Sequence, residues 1–405
     1  MSTKTEATKR KLVSEITDAV REAVRRASGE LSDEEVRDFI DERILAHPAR
    51  RALECAEMLG VADTVFNRTR RELSVLQPLA DDPDVTEIMV NGKDDVFIER
   101  RGEIMRTDAF FESTDELEDV IRRIAAKVHR EVNELAPVLD ARLLDGSRVN
   151  AVYKNIALGG PALTIRRFPG SAITMEDLIS FGTVTREAAE FLTLLVGAGY
   201  NIFISGGTST GKTTFLNALA GFIPKSERVV TIEDTAELQI IGVENVVRLE
   251  CRDAGFEGRG EVTVRQLIKA SLRMRPNRII VGEVRGEEVL DMIQAMNTGH
   301  AGSLSTGHGN STRGMLYRLE AMFLQAADFP IDAIRRQIAE GIDIIIHLGR
   351  LPGGGRAVFE IAEIAGYSGG EIVLNTLYEL DPDKGLVQKG ELAHREKLYI
   401  GGFLC

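Results

Sequence analysis

The chain has 405 residues, which gives room for two or three domains with full-sized cores. With 28% charged and 43% hydrophobic residues it has the composition of an ordinary folded protein. The net charge of −13 argues against a chain whose main task is coating nucleic acid, since neutralising phosphates needs clustered Lys and Arg; only a local basic groove stays compatible with it.

The segment MSTKTEATKRKL is polar and lacks the apolar core of a secretory signal. Residues 1–75 read as a helical bundle behind a flexible start. Leu12, Ile16, Val20, Val24 and Ala27 recur at helical spacing. Ser32 and Glu35 make a capping-box pattern ahead of Val36, Phe39, Ile40 and Ile44. His47-Pro48 breaks that helix, and a third is expected from about Pro48 to Leu73. Arg25, Arg26, Arg50, Arg51, Arg68, Arg70 and Arg71 are expected on solvated faces, with a partner-docking face as the alternative. Cys55, Cys251 and Cys405 have an odd count and no C-x-x-C spacing, so neither a zinc site nor a disulfide framework is indicated, and a reducing cytoplasm is the simplest compartment.

Residues 76–168 read as a smaller α/β domain. Asp81-Asp82-Pro83 is a turn signal, Val85–Val90 and Val96–Arg100 are strands, and Asn91-Gly92 between them is a tight turn. Ser113 to Glu116 is a second capping box, opening a helix whose inner face is Leu117, Val120, Ile121, Ile124 and Val128. The stretch from Leu139 to Val152 holds the loop Asp145-Gly146-Ser147-Arg148, and Leu163–Phe168 alternates as a strand carrying Arg166 and Arg167. Pro169-Gly170-Ser171 marks a linker over 169–180.

Over 181–405 strand and helix patterns alternate. The apolar run Phe191 to Ser205 is shorter than the roughly 20 residues of a spanning helix, and glycines and an asparagine interrupt it, so it reads as a helix end entering a strand. Further strands are expected at Arg228–Glu233, Val246–Leu249, Arg278–Val281, Gly302–Thr306 and Ile342–Leu348, with helices at Val264–Leu272 and Glu287–Met296. That rhythm predicts a mostly parallel sheet with helices on both faces.

The most specific stretch is Gly206-Gly207-Thr208-Ser209-Thr210-Gly211-Lys212-Thr213, a full G-x-x-x-x-G-K-[ST] match between the strand Tyr200–Ser205 and a helix starting at Thr213, with Thr214 next. In such a loop the backbone N–H groups cradle phosphates, Lys212 reaches the β- and γ-phosphates, and the Thr213 hydroxyl ligates Mg²⁺. Three clusters follow strands and so fall at the same sheet edge. Glu233 and Asp234 suit Mg²⁺ and water, or simply a helix N-terminus. Glu283 follows the apolar strand ending Val281-Gly282, where many P-loop enzymes carry an aspartate, and is the candidate to orient or activate water. His300 and His308 flank a Gly/Ser/Thr-rich strand and are candidates to donate to a γ-phosphate oxygen.

GGTSTGKTT, TIEDTAEL, RMRPNRIIVGEVRG and NTGHAGSLSTGHGNS together resemble the Walker A, Asp, Walker B and His boxes of the secretion ATPases of type II secretion, type IV pili and type IV secretion. Upstream, DPDVTEIMVNG, LDARLLDGSRVNAV and LTIRRF resemble the N-terminal domain of the CpaF branch, the motors of tight-adherence (Tad) pili. The resemblance implies an α/β fold: a RecA-like P-loop ATPase domain with a smaller PAS-like α/β domain and a leading helical bundle. It further implies a homo-hexamer on the cytoplasmic face of the inner membrane. ATP hydrolysis there, with Mg²⁺, drives platform proteins to add or remove pilin, and no direct nucleic-acid partner is expected. By match of the DGSR loop it assigns Arg148, and after it Arg142 and Arg166, as arginines acting at the nucleotide. Asn277 stands where the pattern calls for Asp, so no role of that Asp carries over. The alternatives are a conjugative or effector-exporting ATPase with the same boxes, a nucleotide-dependent scaffold with little turnover, and a DNA recombinase or helicase, which the acidic charge disfavours.

Overall fold

The computed structural model describes residues 3–27, 31–100, 102–128, 130–143, 145–167, 173–252 and 260–403. The expected linker Pro169-Gly170-Ser171, Phe168 and Cys405 lie outside them. The chain divides into two units, Met1–Gly170 and Ser171–Cys405.

The first unit opens with three helices, α1 (Thr3–Arg26), α2 (Asp33–Ala46) and α3 (Cys55–Arg70). Leu12, Ile16, Val20, Val36, Ile40, Ile44, Val65 and Phe66 form their shared core. Ser32 and Glu35 make both halves of the capping box, and His47 ends α2. The single third helix is split: Pro48–Ala52 is a 3₁₀ turn, and α3 starts only at Cys55. Val24 is 36% exposed, so the apolar stripe of α1 ends at Val20. Arg68 is not on a solvated face: its side chain is fully buried and pairs with Glu112 at 2.6 Å.

A short helix, α4 (Gln77–Asp81), leads into an antiparallel sheet in the order β3-β2-β1-β6-β5-β4. Its strands are β1 (Val85–Asn91), β2 (Val96–Arg100), β3 (Glu103–Arg106), β4 (Val138–Arg142), β5 (Arg148–Val152) and β6 (Ala162–Arg166). One face, with Ile88, Ile98, Val149 and Ile165, packs on α5 (Thr114–Lys127). Val128 falls beyond α5 and is only half-buried. The α5 cap is half a box. Ser113 Oγ accepts from Glu116 N, but the Glu116 carboxylate accepts from Glu112 N and Ser74 Oγ, drawn aside by Arg68. The β1–β2 turn is longer than two residues: Asn91 still belongs to β1, and its N–H bonds Asp95 O at 2.8 Å.

The second unit is built on a nine-stranded sheet in the order β15-β14-β13-β12-β7-β11-β10-β8-β9. After α6 (Met175–Ser180) and α7 (Arg186–Gly197) come β7 (Ile202–Gly206), α8 (Lys212–Ala220), β8 (Val229–Glu233) and β9 (Val246–Glu250). Then follow α9 (Val264–Ser271), β10 (Arg278–Val281), α10 (Glu288–Asn297), β11 (Leu304–His308), α11 (Thr312–Ala326), α12 (Ile331–Gly341) and β12 (Ile344–Arg350). From β12 to β9 every pairing is parallel. Helices α6–α8 pack on one face and α9–α12 on the other, as the alternating pattern requires. The antiparallel extension β13 (Arg356–Ser368), β14 (Glu371–Asp381) and β15 (Gly385–Gln388), and the final helix α13 (Glu396–Ile400), were not expected from the sequence pattern. Among the described residues no helix is long and apolar enough to cross a membrane.

Candidate nucleotide site

Strand β7 is buried along its length and ends where the chain turns into α8. Two residues take left-handed backbone to make that turn, Ser209 at φ 57° and Gly211 at φ 89°. A Cβ on Gly206 would lie 2.6 Å from Thr210 Oγ1 and 2.7 Å from Leu348 O, so that position requires glycine. Thr210 Oγ1 donates to Gly207 O at 3.0 Å and braces the loop from within. Gly206–Thr214 are thus contiguous around one turn, with Thr208 and Ser209 exposed, and Thr213 and Thr214 half-buried in the first turn of α8.

Lys212 is folded back onto this loop. Its ammonium donates to Gly206 O at 3.2 Å and Gly207 O at 2.9 Å, and lies 3.4 Å from His308 Nδ1. Burial pulls its pKa down, while Glu283 opposes that shift. The parallel register sets His308 opposite Gly206 at the end of β11, and its Nε2 lies 2.9 Å from Glu283 Oε1. An ammonium can only donate, so Nδ1 carries the lone pair and the ring proton sits on Nε2, which lies beside the carboxylate at contact distance without the alignment of a hydrogen bond. Burial and the Lys212 charge hold the His308 pKa below its ordinary value, which favours this neutral tautomer. Lys212, His308 and Glu283 form one continuous chain of polar contacts. Glu283 Oε2 accepts from Arg285 Nη2 at 3.0 Å, and Arg285 Nη1 reaches Asp234 Oδ2 at 3.1 Å. A cleft of about 320 Å³ opens beside these groups, lined by Asp234, Cys251, Arg265, Glu283 and Arg285 among others.

Glu233 ends β8, almost fully buried. Its Oε1 accepts from Glu237 N at 2.8 Å and Leu238 N at 2.9 Å, and its Oε2 has no hydrogen-bond partner. Burial pushes its pKa up to about 7, against the pull of those two N–H bonds. Neighbouring Gly282 has a steric reason to lack a side chain, because a Cβ there would sit 3.0 Å from Glu233 Cγ. The segment after β8 is irregular rather than helical, and Asn217 of α8 ties it down by accepting from Gln239 N at 2.8 Å.

Two expectations need correction. His300 is not brought to the loop. It lies before β11, at the far end of a strand spanning about 13 Å, with Nδ1 3.2 Å from Ala295 O. The candidate metal ligands Thr213, Glu233, Asp234 and Glu283 do not form a ready cage: among the described residues no group of three or more His, Cys, Asp or Glu could hold a metal ion, and Asp234 is engaged by Arg285. The open Oε2 of Glu233 and the Thr213 hydroxyl still fit a Mg²⁺ carried in on phosphates, which needs few protein ligands. Asn277 has a structural role. At the start of β10, opposite the loop edge, its Oδ1 accepts from Arg228 N at 2.8 Å.

In the first unit the three candidate arginines share one row. Arg142 pairs with Arg148 across β4–β5, and Arg148 with Arg166 across β5–β6, on the sheet face away from α5. Asp145 shapes the hairpin between β4 and β5, accepting from Ser147 N and Ser147 Oγ at 2.9 Å each. Sequence patterns missed Arg285, Asn217, Arg350 and Arg356, the last two bonded to the Ser209 carbonyl. Only Arg285 had a usable signal, its place two residues after Glu283.

Residues 69–355 match the type II/IV secretion system protein family, more than half of the chain. The chain belongs to that family. Among its relatives, an uncharacterized protein of Methanocaldococcus jannaschii is 44% identical over 242 residues, 58% of this chain but only 33% of that protein. The probable conjugal transfer protein TrbB of Sinorhizobium fredii is 34% identical over 318 residues, 78% of this chain and 91% of that protein. The pilus retraction motor PilT with bound ADP matches in structure at a TM-score of 0.53 and 20% identity, covering 73% of this chain and 83% of that one, which establishes a shared fold. The second unit is accordingly the RecA-like α/β domain of this secretion family, with its glycine-rich loop on the middle strand of the nine-stranded sheet.

Proposed function

We propose that this family member is an ATP-hydrolysing motor that works as a homo-hexamer and drives assembly of a Tad-type type IV pilus. It would act through platform proteins of the inner membrane, from the cytoplasmic side. The observation that carries the ATPase assignment is the chain Lys212–His308–Glu283, which joins the phosphate loop to a carboxylate beside a cleft. When ATP arrives, Lys212 exchanges two loop carbonyls for β- and γ-phosphate oxygens, and His308 Nδ1, no longer facing the ammonium, takes up a proton from water before donating to the phosphate. Glu283, steadied by His308 and Arg285, orients the attacking water and takes its proton. Thr213 and Glu233 are the residues that would hold a Mg²⁺ carried in on the phosphates, which would supply charge neutralisation there. Arg148, with Arg142 and Arg166 in the same row, is the arginine group acting on a nucleotide.

The Tad assignment rests on DPDVTEIMVNG, LDARLLDGSRVNAV and LTIRRF. The likeness to TrbB favours conjugal transfer as a second reading. Deleting the gene in its source cell separates them: loss of surface pili supports the first, and loss of plasmid transfer with pili intact supports the second. The enzymatic core is tested by ATPase rate per subunit against protein concentration, with Arg148→Ala alongside. A rate that rises with concentration and falls roughly 10³-fold or more in the variant, with nucleotide still bound, supports a composite site. No turnover under any condition leaves the scaffold reading.

A further inference from the structure

The hairpin joining β12 to β13 places two arginines against the phosphate loop. Arg350 ends β12, Arg356 begins β13, and the two are directly paired across the ladder. The turn between them is Leu351-Pro352-Gly353-Gly354-Gly355, with Gly353 and Gly354 at φ 104° and 92°. Both guanidinium groups converge on one carbonyl: Arg356 Nε donates to Ser209 O at 3.1 Å, and Arg350 Nη2 and Nε at 3.3 and 3.4 Å. Both side chains are exposed, and among the described residues neither makes an ion pair with a carboxylate. Two like charges directly opposite each other at a hairpin end, sharing one neutral acceptor, are unfavourable by themselves. A ligand that takes up planar cations would resolve the arrangement.

Sheet order says which part of a nucleotide they meet. β7 is flanked by β11 on one side and β12 on the other. Lys212, His308 and Glu283 gather on the β11–β10 side, which is therefore the γ-phosphate end of the site. The β12–β13 hairpin lies on the opposite flank, where the nucleoside end must leave the loop. Guanidinium planes stack on aromatic faces more effectively than ammonium groups do. We infer that Arg350 and Arg356 form the base-side wall of the nucleotide site, stacking on the purine while tying Ser209 of the phosphate loop in place. This deepens the ATPase reading and rests on it.

The test is calorimetric titration of the full chain with ATP, ADP and inorganic tripolyphosphate. It compares wild type, Arg350→Ala, Arg356→Ala and the double variant Arg350→Lys/Arg356→Lys, with melting curves to confirm folding. The lysine variant keeps both charges but loses the planes. It should bind ATP and ADP roughly 3- to 30-fold more weakly and tripolyphosphate as wild type does. Each alanine variant should lose more for ATP than for tripolyphosphate. Equal losses for ATP and tripolyphosphate across the variants would overturn the base wall in favour of plain phosphate contacts. Unchanged ATP affinity in folded variants, with wild type binding ATP, would overturn it outright. A wild-type chain that binds neither ATP nor ADP would overturn the nucleotide reading itself, and this proposal with it.

Discussion

Two glutamates on adjacent strands of one sheet edge are set to different tasks by their surroundings. Glu283 is about one-fifth exposed and held between His308 and Arg285, which fix the direction of its carboxylate. Replacing it by Gln keeps the shape but removes the proton acceptor. The expected outcome is a kcat lower by about 10²–10⁴-fold with ATP affinity kept, read by steady-state ATPase assay and calorimetry. Glu233 is buried with one oxygen unsatisfied, and its pKa rises from 4.5 to about 7. Because the folded pKa exceeds the unfolded one, the folded state binds more protons between those values. Glu233 therefore makes nucleotide-free stability fall as pH rises from about 4.5 to about 7, and level off above. Glu233→Gln should remove that slope, gaining roughly 3 kcal/mol relative to wild type at pH 8; the measurement is chemical denaturation at pH 5 and pH 8. A slope that persists in the variant would reassign it to other groups.

At the scale of elements, the buried Arg68 shows how a helix of the bundle is joined to the small sheet domain. From α3 it reaches Glu112 and Glu116 and donates to Phe110 O at 3.1 Å. Arg68→Ala leaves the buried Glu116 carboxylate and the partly exposed Glu112 without their cation, a loss of up to about 3–5 kcal/mol. The expected readout is reduced amide-exchange protection in α3 and α5, with the second unit's amides unchanged. The same burial explains why Arg68 misled a pattern-based assignment: in sequence it is one more arginine in a charged helix end, and its carboxylates lie more than forty residues away. Helices and strands with clean periodicity and local caps, such as α2 behind Ser32 and β2 from Val96 to Arg100, were legible because every determining residue is a near neighbour. The β13–β15 extension was not, since long antiparallel strands near a surface carry little of the continuous apolar signal of β12.

For the whole molecule, the proposed ring makes activity a property of assembly. The expected signature is cooperative dependence of rate on protein concentration, and Lys212→Ala subunits mixed into wild type should depress the rate of the mixture more than in proportion to their fraction. Strict proportionality would mean that subunits turn over independently. An ATPase assay across mixing ratios decides it. The acidic net charge of −13 coexists with two local arginine groups, Arg142–Arg148–Arg166 and Arg350–Arg356, so positive charge is concentrated locally and is absent from the balance as a whole.

By itself the sequence determined the phosphate loop, the alternating α/β rhythm and the delivery of Glu233, Glu283 and His308 to strand ends, because each is encoded within a few contiguous residues. Tertiary structure alone decided which of these meet. The strand order β12-β7-β11-β10-β8 is not the chain order, and it sets His308 beside Lys212 while leaving His300 at the other end of the same strand. It also fits Glu233 against the missing side chain of Gly282 and turns two arginines flanking a glycine-rich turn onto Ser209. Such contacts depend on register between strands far apart in sequence, and no local spacing records them.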